Sequence, residues 1–110
     1  MTRTTLGEVE HHVLLALLRL GGSSYSAPIV LQLEERGGRA VAPAAVYIAL
    51  RRLEDKGYLT SAKDDSPPAE GGRRRRVFTI TPSAVDQLRA SRQRFESLWE
   101  GLDPVFQEPA

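Results

Sequence analysis

The chain has 110 residues, a formal net charge of +1, 41% hydrophobic and 26% charged residues, and no cysteine. That length suits one domain with one modest core, and the near-average composition excludes wholesale disorder. Disulfides and thiolate-held metals are excluded, no apolar run nears the roughly 18 residues of a membrane span, and MTRTTLGEVE lacks a signal-peptide core, so a cytoplasmic protein is expected.

Residues 8–20, EVEHHVLLALLRL, predict the first helix. Val9, Val13, Leu17 and Leu20 form one stripe, and Leu14 and Leu18 widen it. An arc that broad asks for cover on more than one side, so Val13 and Leu17 are assigned to a subunit interface. Gly21-Gly22 ends the helix. His11 and His12 diverge by about 100° on a helix and cannot easily share an ion, so they read as surface or interface histidines.

A second helix is expected from Ser26 as N-cap, with Pro28 in its first turn and Gly37-Gly38 at its end. Ile29, Val30 and Leu33 point inward, and Tyr25 packs where the helix starts. After a short connection, residues 42–57, APAAVYIALRRLEDKG, predict a third helix opened by Pro43. Val46, Leu50 and Leu53 share its inner face. Ala44, Ile48 and Arg51 face away, with Tyr47 and Arg52 on the shoulders. Taken alone, this is an ordinary amphipathic helix whose outer face also suits a DNA groove.

Residues 58–62 and 76–80 then read as paired strands, with Phe78 and Ile80 on one face. Between them KDDSPPAEGGRRR is turn chemistry, a long hairpin tip in which Asp64 and Asp65 have no evident partner. Three helices and a two-stranded wing make residues 1–81 a winged helix-turn-helix domain, of class α+β and mostly α. Thr81-Pro82 starts a final helix over residues 82–102. Its apolar positions Val85, Leu88, Phe95, Leu98, Trp99 and Leu102 lie 3, 7, 3, 1 and 3 apart, close to a heptad seam. Leu88, Phe95, Leu98, Trp99 and Leu102 are accordingly assigned to dimerisation. A helix folded back on its own domain would use the same stripe. Residues 103–110 are expected to be a flexible tail.

The small net charge hides an uneven distribution. Residues 36–94 hold 13 Lys/Arg against 6 Asp/Glu, whereas residues 1–35 hold 2 against 4 and residues 95–110 none against 4. A basic middle between acidic ends points to a polyanion on one side. Arg73, Arg74, Arg75 and Arg76, after Gly71-Gly72, suit phosphate oxygens or a narrow minor groove. With Ala44, Tyr47, Ile48, Arg51 and Arg52 they form the candidate DNA-contacting set. Whether Arg51 and Arg52 meet guanine or phosphate is open at this stage, as is whether Tyr47 meets phosphate or packs. No nucleophile motif, phosphate-cradling loop or metal-ligand cluster occurs, so neither an enzyme nor a cofactor is expected.

The segments LGEVEHHVLLALL, GGSSYSAPIVLQLEER, AVYIALRRLEDKGYLTS and GGRRRRVFTITPSA resemble the PadR-like transcriptional regulators. The likeness runs from Leu6 to about Leu88, and its most specific part is the VYxxLxRLExKG block, residues 46–57. It implies a homodimeric winged helix-turn-helix repressor, with the third helix in the major groove and the wing on the flanking backbone. The targets implied are its own promoter and neighbouring stress, detoxification or transporter genes. The single helix after the wing resembles the short subgroup, in which a pocket between subunits can take a planar aromatic effector. Trp99 stands where some members have a pocket-lining tryptophan, and a plain interface aromatic fits that position as well. Val77 and Phe78 replace a usual tyrosine-rich strand, Ala84 a frequent glycine, and Ile48 a frequent proline or threonine. Two further readings fit the same elements: a winged-helix protein-interaction module that never touches DNA, and a small-molecule sensor centred on the dimer cavity.

Overall fold

Each helix is laid down by local signals and each strand by distant ones. A computed structural model of the chain describes residues 6–64 and 75–106. Helix α1 (Glu8–Arg19) is followed by strand β1 (Ser23–Ser24), α2 (Ser26–Gly37), α3 (Pro43–Asp55), β2 (Leu59–Lys63), β3 (Arg76–Ile80), α4 (Pro82–Trp99) and a short α5 (Asp103–Phe106). The class is α+β and mostly α, the winged helix arrangement anticipated from the sequence.

The three-helix body closes on a single core. Val13, Leu14 and Leu17 from α1, Ile29 from α2, Val46, Leu50 and Leu53 from α3, and Phe78 from β3 are all completely buried. The i, i+4, i+7 spacing of the α3 set puts it on one face, and that face is the one the core takes up. Gly38 ends α2 in the left-handed conformation, at a φ of +71° that a side chain would strain. The N-cap of α2 is Tyr25 rather than Ser26, and no side chain caps that end. At α4 the anticipated cap is present: the Thr81 hydroxyl accepts from the Ala84 amide at 3.3 Å, with Pro82 following.

The sheet has three antiparallel strands in the order β1-β3-β2, one more than expected. Strand β1 pairs Ser23 with Thr79 and Ser24 with Phe78, while β2 pairs Leu59 with Ile80 through Lys63 with Arg76. Gly22, at φ +93°, brings its carbonyl to the Ile80 amide at 2.8 Å, and an added Cβ there would meet the Ile80 side chain at 3.4 Å. The connection between α1 and α2 is therefore stitched to the wing.

The first half of α4 rests on the body through buried Ala84, Leu88 and Ser91. From Arg92 to Val105 every residue is exposed. The projecting helix accounts for a radius of gyration of 16.6 Å, against roughly 13 Å for a compact domain of this length. The expected flexible tail is helical over Asp103–Phe106.

Three residues expected at the subunit interface lie instead in the core of the protomer. Val13 and Leu17 are wholly buried in the protomer's own core, and Leu88 also packs there. Helices α2 and α3 together with β3 cover Val13, Leu14 and Leu17, so those three are not left for a partner. On α1 the exposed apolar residues are Val9, Leu15 and Leu18.

A buried ion pair ties the two ends of the body together. Glu10, in the first turn of α1, accepts from Lys56 Nζ at 2.7 and 2.8 Å and from the Gly7 amide at 2.9 Å. Lys56 caps the C-terminus of α3, where a cation also meets the favourable end of the helix dipole.

Candidate nucleic-acid interface

The core spacing of α3 leaves exposed Ala44, Ile48 and Arg51, expected to face outward, together with Tyr47 and Arg52, expected on the shoulders. This face is not a loose array of side chains. Arg51 Nη1 lies 3.2 Å from Glu54 Oε1, the other oxygen of Glu54 accepts from the Ser61 hydroxyl, and Arg76 Nη1 donates to that hydroxyl at 2.9 Å. The chain Arg51–Glu54–Ser61–Arg76 thus runs from the third helix across both long strands of the wing. Tyr47 adds an edge-on contact to Phe78, with ring centroids 6.1 Å apart. One surface therefore carries the outer side of α3 and the basic start of β3. Arg73 and Arg74 lie outside the described residues.

At the base of the wing, Tyr25 proves more than a packing residue. Its hydroxyl donates to Asp64 Oδ2, and the guanidinium carbon of Arg75 sits 4.6 Å from its ring centroid. The hydrogen bond to Asp64 holds the Tyr25 phenol above its ordinary pKa of 10.0, assisted by desolvation and by the Asp64 charge. Asp64, expected to lack a partner, has one. The Asp64 amide also donates to the Arg75 carbonyl at 2.7 Å, continuing the hairpin pairing beyond β2. Lys63 completes the cluster, and sequence reading passed over it. A single lysine at a strand end carries no periodicity, and only the strand register places it across from Arg76.

A second concave region lies between the start of α1 and α4. A cleft of about 700 Å³ is lined by His11, Leu15, Ser91, Arg94 and Phe95 among others. Trp99, the expected effector-site tryptophan, is about half exposed and does not line this cleft. His11 has its pKa lowered from 6.5, first by burial and then by the charges of His12 and Arg94. Because the unfolded chain holds the His11 proton more tightly, stability should decline as pH falls through 6.5, and His11→Gln should flatten that part of the curve. Urea midpoints measured across this range check it; an unchanged curve in the variant would clear His11 of the effect. Among the described residues no group of three or more His, Cys, Asp or Glu is placed to hold a metal ion. Among the same residues no helix is long and apolar enough to cross a membrane.

Comparison with known proteins decides the family. The Transcriptional regulator PadR-like family matches residues 14–90, which is most of the chain and spans α3 and the wing. The chain belongs to the PadR-like family of transcriptional regulators. No curated protein matches it. Among solved structures, the PadR family regulator of Eggerthella lenta is similar at 25% identity and a TM-score of 0.68, over 88% of this chain and 82% of that one. A PadR family regulator of Clostridium difficile is similar at 21% identity and a TM-score of 0.71, over 92% and 100%. Bordetella bronchiseptica BpsR, whose DNA binding is regulated by 6-hydroxynicotinic acid, is similar in fold at 22% identity and a TM-score of 0.63, over 96% and 74%. As a PadR-like protein the chain is a DNA-binding regulator of transcription. Within the VYxxLxRLExKG block that carries the family likeness, Glu54 and Lys56 are tied to Ser61 and Glu10, so part of that block is structural.

Proposed function

We propose that this PadR-like chain acts in the cytoplasm as a repressor, binding as a homodimer to a pseudo-palindromic operator. The observation that carries the DNA-contacting part is the Arg51–Glu54–Ser61–Arg76 chain, which aligns the outer face of α3 with the basic start of β3. In this reading α3 enters the major groove, where Tyr47, Ile48, Arg51 and Arg52 meet base edges or phosphates and Ala44 lets the helix approach closely. Arg75 and Arg76, with Arg73 and Arg74 before them, follow the flanking backbone.

The dimer is supported by the exposed apolar residues Phe95, Leu98 and Trp99 of α4 and by Leu102 just after it. Leu15 and Leu18 extend that surface onto α1, in place of Val13 and Leu17. Two α3 helices related by such a dimer would meet successive major grooves about 34 Å apart. A small planar aromatic effector is the expected releasing signal, as a hydroxylated nicotinic acid regulates DNA binding in BpsR. Trp99 and the cleft beside Phe95 are the places for it.

Selection of bound duplexes from a random pool tests this reading. Enrichment of a two-fold-symmetric consensus is expected, with half-sites one helical turn apart, about 10 base pairs. Failure to enrich any sequence, with no duplex binding even at low salt, would sink it.

A further inference from the structure

At the base of the wing a cleft of about 340 Å³ opens between the start of α2, Tyr47 of α3 and the two long strands. Lys63, Arg75 and Arg76 line it, with Ser26, Tyr25 and Phe78 among the other walls. Three cations thus converge on one open, partly apolar concavity. Among the described residues, neither Lys63 nor Arg75 has a carboxylate within ion-pair distance. Among the described residues, the Arg76 side chain donates one hydrogen bond, to Ser61, which leaves donors of its guanidinium to spare. Asp64 stands beside the cleft, and its carboxylate is engaged by the Tyr25 hydroxyl. Tyr25 therefore does two things at once: it holds Asp64, and its ring supports the Arg75 guanidinium.

The geometry points to a seat for one backbone phosphate of a DNA duplex, with Lys63, Arg75 and Arg76 as its ligands and the Tyr25–Asp64 pair positioning Arg75. A phosphodiester oxygen carries the charge that such a cluster lacks, and the guanidiniums can each offer paired donors. The cleft faces the surface shared by α3 and the wing, so a duplex whose major groove holds α3 would run its backbone past it. The seat also explains why Tyr25 precedes α2: its phenol reaches the wing, and its ring becomes a platform for a cation. This inference rests on the DNA-binding reading and adds to it Lys63 as a ligand and Tyr25 and Asp64 as positioning residues.

The test is the salt dependence of binding to a mixed-sequence duplex. Lys63→Gln should lower the slope of log affinity against log salt by about 1 per protomer, on every sequence alike. Lys63→Arg should keep the slope, and the melting temperature should not move, because Lys63 is exposed. Tyr25→Phe should lower the slope in the parent protein but change nothing once Arg75→Gln is present, since the phenol acts through Arg75. Effects of Tyr25→Phe that persist in the Arg75→Gln background would overturn the positioning role. An unchanged slope in Lys63→Gln, while duplex binding persists, would remove the seat and leave the DNA-binding reading intact. No duplex binding by the unaltered protein would remove the DNA-binding reading itself. At fixed ionic strength, inorganic phosphate should not compete with DNA. Saturable competition that Lys63→Gln abolishes would assign the cleft to free phosphate and overturn the proposal.

Discussion

Replacing Lys56 by methionine should lower stability by about 3 kcal/mol, the low end of what breaking a buried ion pair costs. The two ammonium contacts to Glu10 are short, and the Glu10 side chain is 9% exposed, against 22% for Lys56. Removing the ammonium leaves a largely buried carboxylate to which, among the described residues, the Gly7 amide still donates. The partial exposure of Lys56 lets some water in, which is why the low end applies. In a domain of this size that loss lowers the melting temperature by more than about 10 °C. Adding Glu10→Gln should restore most of it, because the amide oxygen still accepts from Gly7 and no charge is stranded. Urea unfolding at unchanged m-value measures both variants. A Lys56→Met protein within half a unit of the parent, about 0.5 kcal/mol, would show that the pair is ornamental to stability. Sequence preference on DNA should not change in either variant, since Lys56 lies at the opposite end of α3 from Ala44 and Tyr47.

The proposed dimer should dissociate on Leu98→Asp. Leu98 is 67% exposed in the protomer, the most exposed of the four apolar residues on the second half of α4 and its C-terminal turn. Burying a leucine is worth about 1.5–3 kcal/mol, and two-fold symmetry counts the loss twice. The aspartate adds the cost of taking a charge out of water. A rise of more than a hundredfold in the dimer dissociation constant follows, at about 1.4 kcal/mol per decade. The variant should remain folded, because Leu98 is exposed and lies outside the core cluster. Sedimentation at micromolar concentration decides the matter, and a variant as dimeric as the parent would move the interface away from α4. Operator affinity should fall with the proposed dimer, because each domain alone would hold only half of the proposed symmetric site.

Much of this protein could be read from its residues, where the cause of structure is local. Thr81-Pro82 and Pro43 announce helix starts through capping and fixed φ, and Val46, Leu50 and Leu53 announce a buried face through spacing alone. What escaped notice is non-local. Glu10 and Lys56 lie 46 positions apart and Tyr25 and Asp64 lie 39 apart, and nothing in either neighbourhood marks a partner. Strand β1 is two serines long, without β-branched or alternating character, and exists because Thr79 and Phe78 offer it an edge. The stripe on α1 was read correctly as apolar but given to the wrong neighbour. Periodicity shows that a face must be covered, not by which chain. The α1 face itself is also less regular than its spacing suggests. Val9 is exposed beside Ile48 in an open groove, and Glu10 takes the inward position in that first turn.

The stitching of β1 into the sheet bears on how a signal could travel. Gly22 and Ser24 on one side and Tyr58 on the other fasten β3 and the start of α4 to the helical body by backbone hydrogen bonds. Strand β3 is thus held along both of its edges near the base of the wing. Each protomer's reading head is therefore a rigid caliper jaw. In the proposed dimer, control exerted through α4 would open or close the gap between two jaws rather than bend one.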